Sequence, residues 1–247
     1  MLLITNLATL AILVSVGRHL RVLPKAYQRL VVEKRVPGLT SAHEINRRFQ
    51  PDRQLHEIYD SSNVHYLVIG DSLTSQVSWQ ELMGRSDIAG RGINGDTSAG
   101  VLERIDDYNP LEWQRIFLLI GTNDVLQGER TKQTLGNIKA IVEKLQRSPQ
   151  QRKTSLLTVP PLARWMQHAE KRNESISVLN EQIKQLETEN TSVLDLAVLL
   201  RDDDGYLSAA YTVDGIHMNA QGYLVLKSLL ESSLPTTQTK NDHGVEN

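Results

Sequence analysis

The sequence predicts an α/β fold, a three-layer α/β/α sandwich built on a five-stranded parallel sheet, with an extra helical segment at the N-terminus. Three observations carry this expectation. Five short strand-like runs recur along the chain, the one at 88–93 lying between glycines, and each is followed by a stretch with helical spacing. The runs are continuously apolar rather than alternating, as strands covered on both faces require. Parallel neighbours joined by right-handed crossovers then place helices on both sides of the sheet.

Taken in order, residues 64–69 (VHYLVI) form the first strand, ended by Gly70. Residues 72–83 have helical spacing, with Leu73, Val77 and Leu82 on one face. Residues 88–93 are a second strand, and 98–108 a helix closed by Asn109-Pro110. Residues 115–120 (RIFLLI) carry the strongest strand signal and end at Gly121. Leu135, Ile138, Ile141, Val142 and Leu145 stripe a helix over 132–147. A strand over 154–159 is stopped by Pro160-Pro161, and Ile176, Leu179, Ile183 and Leu186 stripe a helix over 174–189. A strand over 192–196 and a helix over 221–231 complete a domain spanning 63–233. The polar tail, 234–247, reads as disordered.

The segment before this domain divides in two. Residues 1–17 include sixteen uncharged residues (MLLITNLATLAILVSV) ahead of Arg18. As a helix they would span roughly 24 Å, short of the roughly 30 Å hydrocarbon core. Snorkelling of Arg18 and inclusion of residues 20–23 make up the difference, so residues 1–23 read as a membrane anchor. The basic residues follow the apolar run, which favours a globular part on the cytoplasmic face; a secreted or periplasmic location is the alternative. Residues 18–62 read as a basic helical neck, broken at Pro37-Gly38, offered a cap at 40–44 and interrupted again at Pro51. Nine Lys/Arg against three Asp/Glu between positions 18 and 53 give a local charge of +6, and the remainder of the chain carries −8. A basic neck on an acidic body suits an anionic surface near the N-terminus.

Composition narrows the function classes. At 247 residues the chain is long enough for one generous α/β domain. It has no Cys, which excludes a disulfide scaffold, a thiolate nucleophile and Cys-ligated metal sites. A net charge of −2 argues against a nucleic-acid binder.

Open parallel sheets bind ligands beyond the carboxyl ends of their strands, and four motifs fall there. They are Gly70-Asp71-Ser72-Leu73, the Gly92–Thr97 turn containing Gly95-Asp96-Thr97, Gly121-Thr122-Asn123-Asp124, and Asp214-Gly215-Ile216-His217. Alone, each has an ordinary reading: Ser72 as a helix cap, the glycines as turns, Asn123-Asp124 as a turn pair. Together they supply an acyl-transfer site. A serine hydroxyl needs a base, and of seven His only His217 has a carboxylate, Asp214, placed to orient its ring. The Ser72 and Gly95 N–H groups and the Asn123 amide are candidate donors to an oxyanion. Asp71, Asp96 and Asp124 read as supporting or capping residues. Trp165, Met166 and His168 read as a packed surface loop, and 202–205 as a solvated turn.

In order and spread, these four motifs resemble the SGNH, or GDSL-type, esterase and lipase family. Gly-Asp-Thr and Gly-Thr-Asn resemble most the branch of the platelet-activating-factor acetylhydrolase catalytic subunits. The resemblance implies a flavodoxin-like serine hydrolase with no metal or organic cofactor and a small-molecule ester as substrate. In it Ser72 is the nucleophile, His217 the base, Asp214 the orienting acid, and Gly95 and Asn123 join Ser72 in the oxyanion hole. Short-chain acyl esters, lysophospholipids and acetylated sugars all suit these residues, and acyl transfer to an acceptor other than water stays open. Two other readings remain. A binuclear metal-dependent phosphoesterase would use Asp71, Asn123, Asp124, Asp214 and His217, though transition metals favour more than one His. A non-catalytic binding protein could keep the same fold. Oligomeric state is not readable.

Overall fold

The structure, a computed structural model, describes residues 46–108, 113–147 and 152–235. Five strands, β1 (Tyr66–Gly70), β2 (Ile88–Gly92), β3 (Arg115–Leu119), β4 (Lys153–Leu157) and β5 (Thr191–Leu194), form one sheet. Every pairing is parallel, in the order β2-β1-β3-β4-β5. Among the described residues nine α-helices accompany them: α1 (Phe49–Ile58), α2 (Ser72–Ser75), α3 (Trp79–Met83), α4 (Ser98–Arg104), α5 (Thr122–Leu126), α6 (Thr131–Gln146), α7 (Ala169–Lys184), α8 (Leu196–Leu200) and α9 (Ala220–Glu231). This is the α/β/α sandwich that the sequence predicts.

The apolar strands split their side chains between two cores, which is why they show no alternation in sequence. Leu67, Ile69, Ile116 and Leu118 face one layer, with Val101 of α4, Ile138 and Ile141 of α6, and Ile176 and Leu179 of α7. Tyr66, Val68, Phe117 and Leu119 face the other, with Trp79 of α3, Leu196 and Leu200 of α8, and Leu226 and Leu230 of α9.

Register sets up the site. Gly70 at the end of β1 is level with Gly92 of β2 and Leu119 of β3, so the three following loops leave the sheet at one edge. β1 lies between β2 and β3, where the direction of winding reverses, and a crevice opens at such a point. The loops also crowd one another: a Cβ on Gly92 would lie 2.4 Å from the Ser75 backbone nitrogen and 2.7 Å from the Asp71 carbonyl oxygen.

Several elements differ from expectation. The helix over 72–83 is two short helices, because the Trp79 indole turns in beneath Gly90 and donates 2.8 Å to the Thr74 carbonyl. The helix over 98–108 tightens into a 3₁₀ turn at Ile105–Tyr108. The helix expected at 174–189 starts at Ala169, after His168 in a left-handed conformation (φ 57°), and ends at Lys184. Helices α5 and α8, one turn each, have too few residues to show a period. Pro51 does not interrupt the chain. It sits in the first turn of α1, where helical N–H groups lack intrahelical partners and a missing one costs nothing.

From residue 46 the neck packs on the body. Phe49 is buried, Arg53 donates to Asp107 at 2.6 and 2.8 Å, and Asn46 donates 2.6 Å to the Asn94 carbonyl. The apolar segment, the rest of the neck and the tail from residue 236 lie outside the described residues. Among those described, no helix is long and apolar enough to cross a membrane.

Candidate active site

Ser72 follows directly from β1. The Asp71 side chain, rather than Ser72, caps α2, accepting from the Leu73 N–H at 2.9 Å. The Ser72 hydroxyl is therefore left to face outward. The turn is held from the far layer by Tyr223 of α9, whose hydroxyl donates 3.0 Å to the Leu73 carbonyl.

Asp214 and His217 lie in the loop before α9. Thr212 ties this loop: its hydroxyl donates 2.7 Å to the His217 carbonyl and accepts from the Gly215 N–H at 2.9 Å. Asp214 Oδ1 accepts from the N–H groups of Ile216 (2.9 Å) and His217 (2.8 Å). Its Oδ2 is then 2.6 Å from His217 Nδ1, and His217 Nε2 is 2.9 Å from Ser72 Oγ. A carboxylate accepts only, so Nδ1 carries the proton and Nε2 is free to accept from the serine hydroxyl. Partial burial alone would raise the Asp214 pKa. The hydrogen bonds from the His217 ring and from the His217 and Ile216 N–H groups outweigh it, and the carboxyl sits below its usual range.

The other two candidates come from the adjoining loops. Gly95 has a positive φ of 75°, in a turn closed by the Asp96 N–H on the Ile93 carbonyl at 3.1 Å. Asn123 lies in α5, and its Nδ2 donates 2.8 Å to the Asp96 carbonyl and 3.3 Å to Asp71 Oδ2. Asp71 thus bridges the serine turn and the asparagine. Burial, reinforced by Asp96 and Asp124 nearby, pushes the Asp71 pKa up to about 7 even though the Leu73 N–H opposes the rise.

Below this edge, charge is neutralised inside the protein. Asp124 accepts from the Ser98 N–H at 2.9 Å and the Ser98 hydroxyl at 2.5 Å. Arg104 is wholly buried; it donates to Asp96 Oδ2 (2.9 Å), the Arg91 carbonyl (2.9 Å), the Gly70 carbonyl (3.0 Å) and the Tyr108 hydroxyl. It ties the ends of β1 and β2 to α4. Sequence reasoning missed Arg104, Thr212 and Tyr223. Arg104 follows Asp96 by eight residues, but the Asp precedes the helix, so no helical spacing marks the pair.

Ser72, His217 and Asp214 are thus joined by direct hydrogen bonds, and Gly95 and Asn123 occupy neighbouring turns of the same edge. Trp165 and Met166 pack over the histidine loop: a Cβ on Gly215 would lie 2.7 Å from Met166 Sδ and 2.9 Å from Trp165 Nε1. His168 is the residue from which α7 departs. Among the described residues, no group of three or more His, Asp or Glu side chains is arranged to hold a metal ion; of the residues in the phosphoesterase reading, Asp214 is bonded to His217 and His217 to Ser72.

The profile of the GDSL-like lipase/acylhydrolase family matches residues 68–225, a span that contains all five candidates. The chain belongs to that family. Its members are ester-hydrolysing serine hydrolases, and the fold agrees. A Streptococcus pneumonia protein provisionally described as a platelet activating factor is 27% identical, with a TM-score of 0.69 over 78% of this chain and 94% of that one. A GDSL-like lipase from Bacteroides thetaiotaomicron superposes with a TM-score of 0.64 at 22% identity, over 77% of this chain and 97% of the other. An N-acylneuraminate cytidylyltransferase from Escherichia coli is 30% identical over 114 residues, which are 46% of this chain and 26% of that relative. The chain therefore matches about a quarter of that relative's length.

Proposed function

We propose that the protein is a serine esterase that cleaves carboxylic esters of small molecules through an acyl-enzyme on Ser72. The observation that carries this reading is the continuous relay Asp214 Oδ2–His217 Nδ1 at 2.6 Å and His217 Nε2–Ser72 Oγ at 2.9 Å. Ser72 attacks the ester carbonyl while its proton passes to His217 Nε2. Asp214 holds the ring in the required tautomer and stabilises the imidazolium. The carbonyl oxygen, now anionic, accepts from the N–H groups of Ser72 and Gly95 and from the Asn123 amide. The 3.3 Å bond from Asn123 to Asp71 is longer than an ordinary N–H···O bond, so this is the proton an oxyanion can recruit, while the 2.8 Å bond to the Asp96 carbonyl keeps the amide in place. Collapse expels the alcohol, protonated by His217, and leaves the acyl group on Ser72. Water, deprotonated by the same histidine, then releases the acid and restores the serine.

Among ester classes, short-chain acyl groups are the proposed preference. The resemblance of the Gly-Asp-Thr and Gly-Thr-Asn turns to the platelet-activating-factor acetylhydrolase branch supports this choice over long-chain lipids. The test is a panel on full-length protein: p-nitrophenyl esters from acetyl to palmitoyl, a lysophospholipid and an acetylated sugar. Turnover falling with chain length, and lost in Ser72→Ala, is expected. Equal turnover by Ser72→Ala would overturn the nucleophile, and a preference for palmitoyl would overturn the substrate class.

A further inference from the structure

A cavity of about 500 Å³ lies between α1 and the β2 edge, in the size range of small-molecule sites. Arg48, Asp52, His56, Tyr59, Asp60 and Arg91 are among its walls. Ser75 and Asn94 are bonded to each other at 2.9 Å and belong to the turns that carry Ser72 and Gly95, so the cavity shares a wall with the catalytic edge without containing Ser72 or His217.

Arg91 is the unusual group here. Its side chain is 3% exposed. It donates to the Gly90 carbonyl at 2.9 Å and the Ser61 hydroxyl at 2.8 Å, and stacks on Tyr59 with 5.3 Å to the ring centroid. Those bonds use two of five N–H donors. No carboxylate pairs with it among the described residues. Asp96 is taken by Arg104 and the wall residue Asp52 by Arg48, while Asp60, exposed on the same wall, accepts from the Ser62 N–H. A guanidinium stays charged at any working pH, and a buried charge without a counter-ion is expensive. Burial first, then the charges of Arg104 and Arg91, hold the His56 imidazole down to about 3. Thr74, also on the wall, has a buried hydroxyl with no partner among the described residues.

We propose that this cavity is a second binding site, for a small molecule that presents a phosphate or carboxylate group to the Arg91 guanidinium. A planar fork with unused donors matches an oxyanion's paired oxygens, and Tyr59 and Arg48 are among the other walls of the cavity. The site is independent of the hydrolytic chemistry and stands or falls separately.

The test is calorimetry on full-length protein with inorganic phosphate and, separately, malonate, each against chloride at matched ionic strength. Backbone amide shifts are followed by NMR in parallel. Saturable binding of phosphate or malonate is expected, with the largest shifts at Arg91, His56 and Asn94 and at least a tenfold weakening in Arg91→Met. Which anion binds identifies the ligand class. Saturation by neither, shifts confined to other surfaces, or undiminished binding by a folded Arg91→Met would each overturn the proposal. Should Arg91→Met fail to fold, the wild-type shifts decide alone.

Discussion

The Arg104 guanidinium lies 2.9 Å from the Asp96 carboxylate, with both side chains fully shielded from solvent. The remaining Arg104 donors reach the carbonyls of Gly70 and Arg91, so one side chain joins the ends of β1 and β2 directly beneath Ser72 and Gly95. Removing one member of such a pair leaves an uncompensated buried charge and costs about 3–5 kcal/mol. Arg104→Met is therefore expected to lower the urea midpoint of unfolding by that much stability at an unchanged slope. A loss below about 1 kcal/mol, the range of surface pairs, would mean that the pair does not support the site.

Asp71 gives a pH signature. Its carboxyl titrates at about 7 in the fold, against 3.8 for the free group. Between those values the folded protein holds a proton that the unfolded chain has released. Stability from this group is thus complete below about pH 4 and is lost as pH rises through about 7. Asp71→Asn should flatten the fall in stability between about pH 5 and pH 7.5, measured by denaturant unfolding at several pH values. An unchanged slope would show that Asp71 ionises normally in the fold.

Asn123 separates transition-state binding from ground-state binding. If its amide meets the oxyanion, Asn123→Ala should reduce kcat by about 10²–10³ with KM little changed. A rise in KM at constant kcat would assign it to substrate positioning instead.

Asp214→Asn tests the orienting role. With the carboxylate gone, the His217 ring is free to carry its proton on Nε2, where it cannot accept from Ser72. A loss of up to about 10⁴ in kcat is expected, with little change in KM. Wild-type turnover by this variant would break the proposed relay.

The layers of the fold were legible because burial on both faces writes itself into β1 and the Ile116–Leu119 part of β3 as unbroken apolar runs, and the glycines that end strands are visible as letters. Ser72, Gly95, Asn123, Asp214 and His217 were legible as motifs at those ends. What the sequence hid was pairing across long separations. Tyr223 reaches Leu73 over 150 residues, and Arg104 serves two strands at once; no local period encodes either contact. The break between α2 and α3 was hidden for a related reason, since it depends on Trp79 finding space under Gly90 on another element. Pro51 misled because a proline breaks a helix interior but is tolerated in its first turn.

The central claim is that Ser72 becomes covalently acylated, and a phosphonate probe measures this most directly. Full-length protein treated with a fluorophosphonate and analysed by intact-mass and peptide mass spectrometry should carry a single adduct on the peptide containing Ser72. Labelling should slow in His217→Ala and vanish in Ser72→Ala. An adduct on another residue, or stoichiometric labelling of Ser72→Ala, would contradict the account.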